Sequence, residues 1–150
     1  MRIFTFQSEL MLDRPRDEVF PFFADARNLQ ILTPPWLDFE ILTKGNIEMK
    51  AGAWIQYRLR LHAIPVRWDT EITAWEPPAR FVDEQRRGPY RLWRHEHAFI
   101  PRDGGTLIRD RVEYAVTGGR LVQKFFVEPD VKKIFEFRRR KLSEIFGQNK

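Results

Sequence analysis

Residues 93–99 read WRHEHAF, so two of the three histidines in the chain, His95 and His97, stand one residue apart. Such a pair can serve three kinds of chemistry: metal ligation with a carboxylate as third donor, proton transfer at a carbonyl compound, or hydrogen bonding to a bound molecule. The choice depends on where the side chains point. On a strand from about 91 to 100, Trp93, His95, His97 and Phe99 share one face, and Arg94 and Glu96 share the other. Aromatic residues mark the covered face, so both histidines are expected to point inward.

The same parity phases the neighbouring segments. Over 106–116 the inward set is Ile108, Asp110, Val112 and Tyr114, and over 53–62 it is Ile55, Tyr57, Leu59 and Leu61. Over 66–75 Trp68, Thr70 and Ile72 face in, with Asp69 and Glu71 out. In RFVDEQ either parity contains an acid, and the weight of Phe81 places Phe81, Asp83 and Gln85 inward. A polar group then collects on an apolar face: His95, His97, Asp110 and Tyr114, joined by Asp83 and Gln85. Burying a carboxylate without a partner costs several kcal/mol, roughly enough to force pairing or protonation, and the histidines are natural partners.

The elements that must hold this group follow from periodicity and turn signals. Residues 4–12 alternate as a strand. DRPRDEVFPFF switches to helical spacing through Val19, Phe20 and Phe23, shortened or bent by Pro21. DARNLQILTPP offers a second short helix stopped by Pro34 and Pro35. From 36 to 116 about six strand-like segments are separated by KGN, HAIP, EPP, RRGP and RDGG, connections too short for crossover helices, so the sheet is an antiparallel meander. From Arg120 onward the spacing is helical. Pro129 is expected to separate a lead-in with Leu121, Val122, Phe125 and Phe126 from a main helix that carries Val131, Ile134, Phe135, Leu142, Ile145 and Phe146 on one face.

Composition narrows the function. With 150 residues, one domain over 1–150 is the expected organisation. No cysteine is present, which excludes disulfides, thiolate metal sites and cysteine nucleophiles. The chain has 13 Phe, 5 Trp and 3 Tyr, more large rings than a small core needs and well suited to walling a cavity. No apolar run reaches the length of a membrane span, so a cytoplasmic location is expected. The net charge of +5 brings in anionic partners, and Lys132, Lys133, Arg138, Arg139, Arg140 and Lys141 form a run able to touch an anionic membrane. Much of the remaining charge is interleaved in sign, as on a solvated sheet face, and no exposed aromatics for base stacking are expected, so no nucleic-acid partner is expected.

The segments VFPFFADARNLQILTPPWLDFEI, AGAWIQYRLRLHAIPVRWDTEITAWEPPARFVDEQRRGPYRLWRHEHAF, GGTLIRDRVEY and IFEFRRRKL resemble the START-like, helix-grip (SRPBCC) superfamily, and most closely its polyketide cyclase/dehydrase-like branch. The resemblance implies an α+β fold: a curved antiparallel sheet wrapped around a long C-terminal helix, with two short helices after the first strand. It also implies a cavity between sheet and helix, of roughly 300–1,000 Å³. The ligand would be a small hydrophobic molecule such as a lipid, a quinone or a polyketide-like compound. Ligand-contacting residues on this reading are Tyr57, Leu59, Trp68, Thr70, Phe81, Asp83, Gln85, Trp93, His95, His97, Phe99, Asp110, Tyr114, Ile134 and Phe135. The second reading is a cofactor-independent cyclase or dehydratase, with His95, His97, Asp110 and Tyr114 as catalytic candidates. Iron-binding relatives use a helical Asp-and-two-His spacing that this sequence lacks, and His62 belongs on the outer face near a turn. No metal and no cofactor are therefore expected.

Overall fold

The alternating segments become strands where the parity places them. The computed structural model describes residues 1–147, which leaves the last three residues of the expected 1–150 domain outside the described residues. Strand β1 (Phe4–Leu12) leads into helix α1 (Arg16–Phe23), a 3-10 turn at Ala26–Asn28 and the short helix α2 (Leu29–Leu32). Six strands follow: β2 (Glu40–Ile41), β3 (Trp54–Leu61), β4 (Ile64–Glu76), β5 (Arg80–Arg87), β6 (Leu92–Arg102) and β7 (Gly105–Ala115). The sheet order is β1-β7-β6-β5-β4-β3-β2, with every pair antiparallel. The strands after α2 thus form a meander, and β1 closes its far edge against β7. Register shifts between Asp69 and Thr70 and between Ile72 and Ala74 interrupt the β4–β5 ladder, and such bulges bend a sheet. The chain ends in α3 (Gly119–Val122), a wide π-type turn at Gln123–Val127 and α4 (Glu128–Phe146). The fold is α+β, a curved antiparallel sheet gripping a long C-terminal helix.

Pro129 marks the start of the main helix after the lead-in, as expected, but the helical path does not break there. It stands in the first turn of α4, and the wider turn before it lets the helical path continue without the amide hydrogen that proline lacks. The lead-in also turns its apolar residues outward: Leu121, Phe125 and Phe126 are exposed, while Gln123 is buried. Aromatic rings are therefore exposed where none were expected. On α4 the buried stripe is Val131, Phe135, Arg138 and Leu142, at steps of four, three and four. Ile145 lies off that stripe and is exposed, and Arg138 lies on it rather than in a solvated basic run.

The outer sheet face carries the expected charge alternation as cross-strand pairs: Arg58 with Glu40, Arg86 with Glu71, Arg80 with Glu96, and Arg109 with Glu9, at 2.8–3.1 Å. Asp69, expected outside and solvated, is buried beside the bulge and accepts from Arg67 Nε at 3.0 Å. His62 lies exposed at a turn, as expected, but its ring reaches toward α4 rather than the outer face. It occupies the two-residue β3–β4 turn with Ala63, both at positive φ, and its Nε2 lies 2.7 Å from Asp130 Oδ2 on α4.

One end of the concave face is filled by Leu12, Phe20, Phe23, Phe81, Phe99, Ile108 and Leu142. Ile55, Tyr57, Leu59 and Trp68 line its other half, and Val112, Tyr114, Val131 and Phe135 join sheet to helix.

Candidate functional site

Strands β5, β6 and β7 run side by side, so residues of like parity meet on the concave face. The register sets His95 opposite Asp83 and His97 opposite Asp110. The bonds nevertheless cross: His95 Nε2 lies 2.7 Å from Asp110 Oδ1, and His97 Nε2 lies 2.5 Å from Asp83 Oδ2. The two imidazoles stack at 3.6 Å between centroids, and His97 is sandwiched on its other face by Phe81 at 4.0 Å. Arg138 completes the cluster from α4. Its guanidinium reaches His97 Nδ1 at 3.3 Å and lies 3.7 Å from Asp110 Oδ1.

The partners assign the protons. Burial alone would raise the Asp110 carboxyl, but Arg138, the bond from His95 and the charges nearby hold it below the ordinary carboxylate range. Asp83 is likewise held low, as the His97 hydrogen bond and the positive charges outweigh burial. An ionised carboxylate only accepts, so His97 donates from Nε2 to Asp83 and His95 donates from Nε2 to Asp110. His97 is pushed down to about 4 by burial first and by His95 next, against the pull of Asp83. Its Nδ1 is then a lone pair, which suits an N–H donated by Arg138. His95 Nδ1 makes no hydrogen bond among the described residues; Asp83 Oδ2 stands 3.9 Å away.

Beside this cluster lies a partly open cavity of about 170 Å³ between the sheet, α2 and α4. It is smaller than the sequence led us to expect because rings fill one side. Tyr57 stacks on Trp68 at 5.9 Å, and Trp93 meets Trp68 edge-on at 5.4 Å. Of the residues singled out by sequence, Tyr57, Leu59, Trp68, Thr70, Phe81 and Asp83 line the cavity. So do Trp93, His95, His97, Ile134 and Phe135. Four others stand outside its wall. Phe99 is packed among Phe20, Phe23 and Phe81. Gln85 bonds both backbone groups of Tyr90. Asp110 sits behind His95, and the Tyr114 hydroxyl accepts from Gln123 Nε2 at 2.8 Å.

Sequence reasoning missed Arg138, although position 138 is in phase with Val131, Phe135 and Leu142; the surrounding RRRK hid it. It also missed Phe22, Phe39 and Met49 on the cavity wall, none of which lies in a long periodic segment. Two donors on lining residues, Trp68 Nε1 and Arg138 Nε, are buried without an acceptor among the described residues.

For metal, the ligand atoms that cluster, within 4.8 Å of one another, belong to Asp83, His95 and His97 rather than to the set with Asp110. A ligating histidine donates its second N–H to an acceptor. His95 meets that condition through Asp110, but the second nitrogen of His97 faces the donor Arg138. The cluster is thus built as a hydrogen-bond network.

A sheet wrapped on a long C-terminal helix, with an apolar cavity closed by polar groups between them, defines a START-like helix-grip domain. Solved structures of this class match almost end to end. Protein CV1439 from Chromobacterium violaceum superposes with a TM-score of 0.74 at 12% identity, covering 97% of this chain and 98% of the other. Ara h 8.0201 gives 0.72 at 16% identity, with coverage of 97% and 98%. The major latex-like protein 151 from Panax ginseng gives 0.71 at 9% identity, with coverage of 96% and 97%. No curated protein sequence matches the chain. The family model described as polyketide cyclase/dehydrase and lipid transport matches residues 12–141, and the chain belongs to that family.

Proposed function

We propose that the protein binds a small, neutral, hydroxyl-bearing hydrophobic molecule, of the kind that lipids, quinols and polyketides supply. The observation that carries this reading is the charge and donor pattern at the cavity's polar end. Asp83 and Asp110 are both held ionised at this end, and Arg138 is the one permanently charged cation beside them. A ligand carboxylate would add a third negative charge to a buried cluster, at a desolvation cost of several kcal/mol, about the size that excludes it. A hydroxyl fits better. It can donate to His95 Nδ1 or Asp83 and accept from Arg138, while its apolar body lies against Tyr57, Leu59, Trp68 and Ile134.

The test compares decan-1-ol with decanoate at pH 7, by native mass spectrometry and by the fluorescence of Trp68 and Trp93, which line the cavity. Binding of the alcohol alone, weakened in Asp83→Asn and His95→Ala, is the expected result. Equal or tighter binding of decanoate would overturn the assignment, as would an anionic molecule retained through gentle purification.

The His95–Asp110 pair supports a second reading, a cofactor-independent cyclase or dehydratase. The carboxylate holds the imidazole by Nε2–H and leaves Nδ1 to take a proton from the carbon next to a ligand carbonyl. The C–H electron pair becomes an enolate that attacks a second carbonyl, and the resulting alkoxide recovers the proton. Tyr114 has no part in this route, since its hydroxyl is engaged with Gln123 away from the cavity. Turnover of candidate carbonyl compounds lost in both His95→Ala and His97→Ala with binding retained would favour this reading; absence of turnover in the unmodified protein would reject it.

A further inference from the structure

Strand register brings three acid-free segments to one end of the sheet. Phe4 pairs with Tyr114 and Leu92 with Ala115, so residues 1–3, the turn at 88–91 and the path from β7 into α3 all emerge there. Together with Arg87 at the end of β5, they carry Arg2, Arg87, Arg91, Arg120 and Lys124 and no Asp or Glu through residue 127. Large exposed apolar side chains stand among these cations: Met1 at 73%, Leu121 at 70%, Phe126 at 65%, Phe125 at 62% and Ile3 at 51% relative exposure. Leu121, Phe125 and Phe126 are presented by α3 and the wide turn after it, a path that opens with Gly118 and Gly119, both at positive φ. Lys124 Nζ lies 5.8 Å from the Phe125 ring, so charge and apolar surface are interleaved.

We propose that this end is a docking surface for an anionic lipid bilayer, with Leu121, Phe125 and Phe126 entering the headgroup layer and the five cations meeting lipid phosphates and carboxylates. Charge selects this occupant. A second copy packed through the same end by two-fold symmetry would set cations against cations, whereas an anionic bilayer supplies both the negative surface and the apolar interior. The basic run of α4 is a poorer candidate. Arg138 is buried in the cluster, Arg139 bonds the Glu9 carbonyl, and Lys132 and Lys141 pair with Glu128 and Glu144. The docking end also lies beside Tyr90 and Trp93 on the cavity wall, a suitable place for an apolar ligand to pass between bilayer and protein.

The test is co-sedimentation of the full chain with phosphatidylcholine vesicles, with and without phosphatidylserine, at low and high salt. Binding is expected only with phosphatidylserine and is expected to fall as salt rises. The double variant Phe125→Ser, Phe126→Ser and the charge reversal Arg120→Glu, Lys124→Glu are each expected to weaken it by about tenfold or more. Trp54→Ser, on the outer sheet face, serves as the control that leaves binding unchanged. Circular dichroism establishes that each variant is folded. Equal binding to neutral vesicles, undiminished binding by both double variants, or no binding at low salt would overturn the proposal. So would a dimer, or capture of an acidic protein, that the Phe125 and Phe126 changes abolish while vesicle binding persists.

Discussion

Acidification should loosen this fold before the carboxylates begin to titrate, and the reason is His97. It is enclosed by Phe81 and Asp83 from β5, His95 from its own strand, Asp110 from β7 and Arg138 from α4. Burial and the neighbouring imidazole hold its pKa near 4, against 6.5 for an ordinary histidine. Between those values the unfolded chain binds a proton that the fold refuses, so stability falls as pH falls. Each pH unit fully inside the window removes about 1.4 kcal/mol, and integration from pH 7 to pH 5 gives a loss of about 2 kcal/mol. Asp83 and Asp110 act lower on the scale. Their folded pKa values are depressed, so the stability they contribute is present above the unfolded value, roughly 3.9, and is lost only below it. Urea unfolding at pH 7 and pH 5 measures the effect, and His97→Gln isolates it, since glutamine can still donate to Asp83 without titrating. The variant should lose most of the difference between the two pH values, whatever its absolute stability. A flat profile in the unmodified protein, or an equal slope in His97→Gln, would refute a neutral buried His97.

Phe99→Ala removes a ring that is 1% exposed and packed on Phe20, Phe23 and Phe81; the expected loss is about 3–5 kcal/mol by chemical denaturation. Gly105→Ala should lower the melting temperature, because the added Cβ would sit 2.3 Å from the Leu12 carbonyl oxygen and force the β1–β7 edge apart. Leu59→Trp should fill the cavity, abolishing decan-1-ol binding in native mass spectrometry while circular dichroism stays native. Arg138→Met should destabilise by roughly 3–5 kcal/mol, the usual cost of leaving buried opposite charges without a partner, with Asp110→Asn in the same background recovering part of that loss in a double-mutant cycle.

Much of this architecture is legible in the chain because it rests on periodicity. The period-two segments and their turn residues define the meander, and parity puts His95, His97 and Asp110 on the concave face; Asp83 joins them only through the weight of Phe81, since either parity of its strand carries an acid. Parity cannot say how they pair. The hydrogen bonds run diagonally to the register, with the two rings stacked, an arrangement set by side-chain rotamers that parity does not specify. Cavity size is hidden for the same reason, since it follows from how Tyr57, Trp68 and Trp93 lean on one another. Arg138 is a different case. Its phase on the helix is readable, but a run of four cations looks solvated, and only the carboxylates across the cavity explain why one of them turns inward.

That inward turn ties the grip of the helix to the chemistry of the site. Val131, Phe135 and Leu142 hold α4 to the sheet by apolar contact, which is weakly directional and tolerates sliding. Direction comes from a few polar bonds. Arg138 reaches the cluster in the middle of the helix, Arg139 bonds the β1 backbone, and Asp130 meets His62 at the β3–β4 turn. The first of these reaches a residue on the cavity wall, and the same guanidinium keeps a second donor, Nε, buried without an acceptor among the described residues. A ligand hydroxyl of the proposed kind could therefore accept from Arg138 without displacing His97. A molecule bound there would add a bond to the side chain that orients the helix, and lifting the helix from the sheet would break the bond that keeps the His97 lone pair occupied. If the proposed ligand binds at this end, its binding and the position of the helix would be coupled through Arg138, the one residue of the buried stripe that makes polar bonds to the cluster.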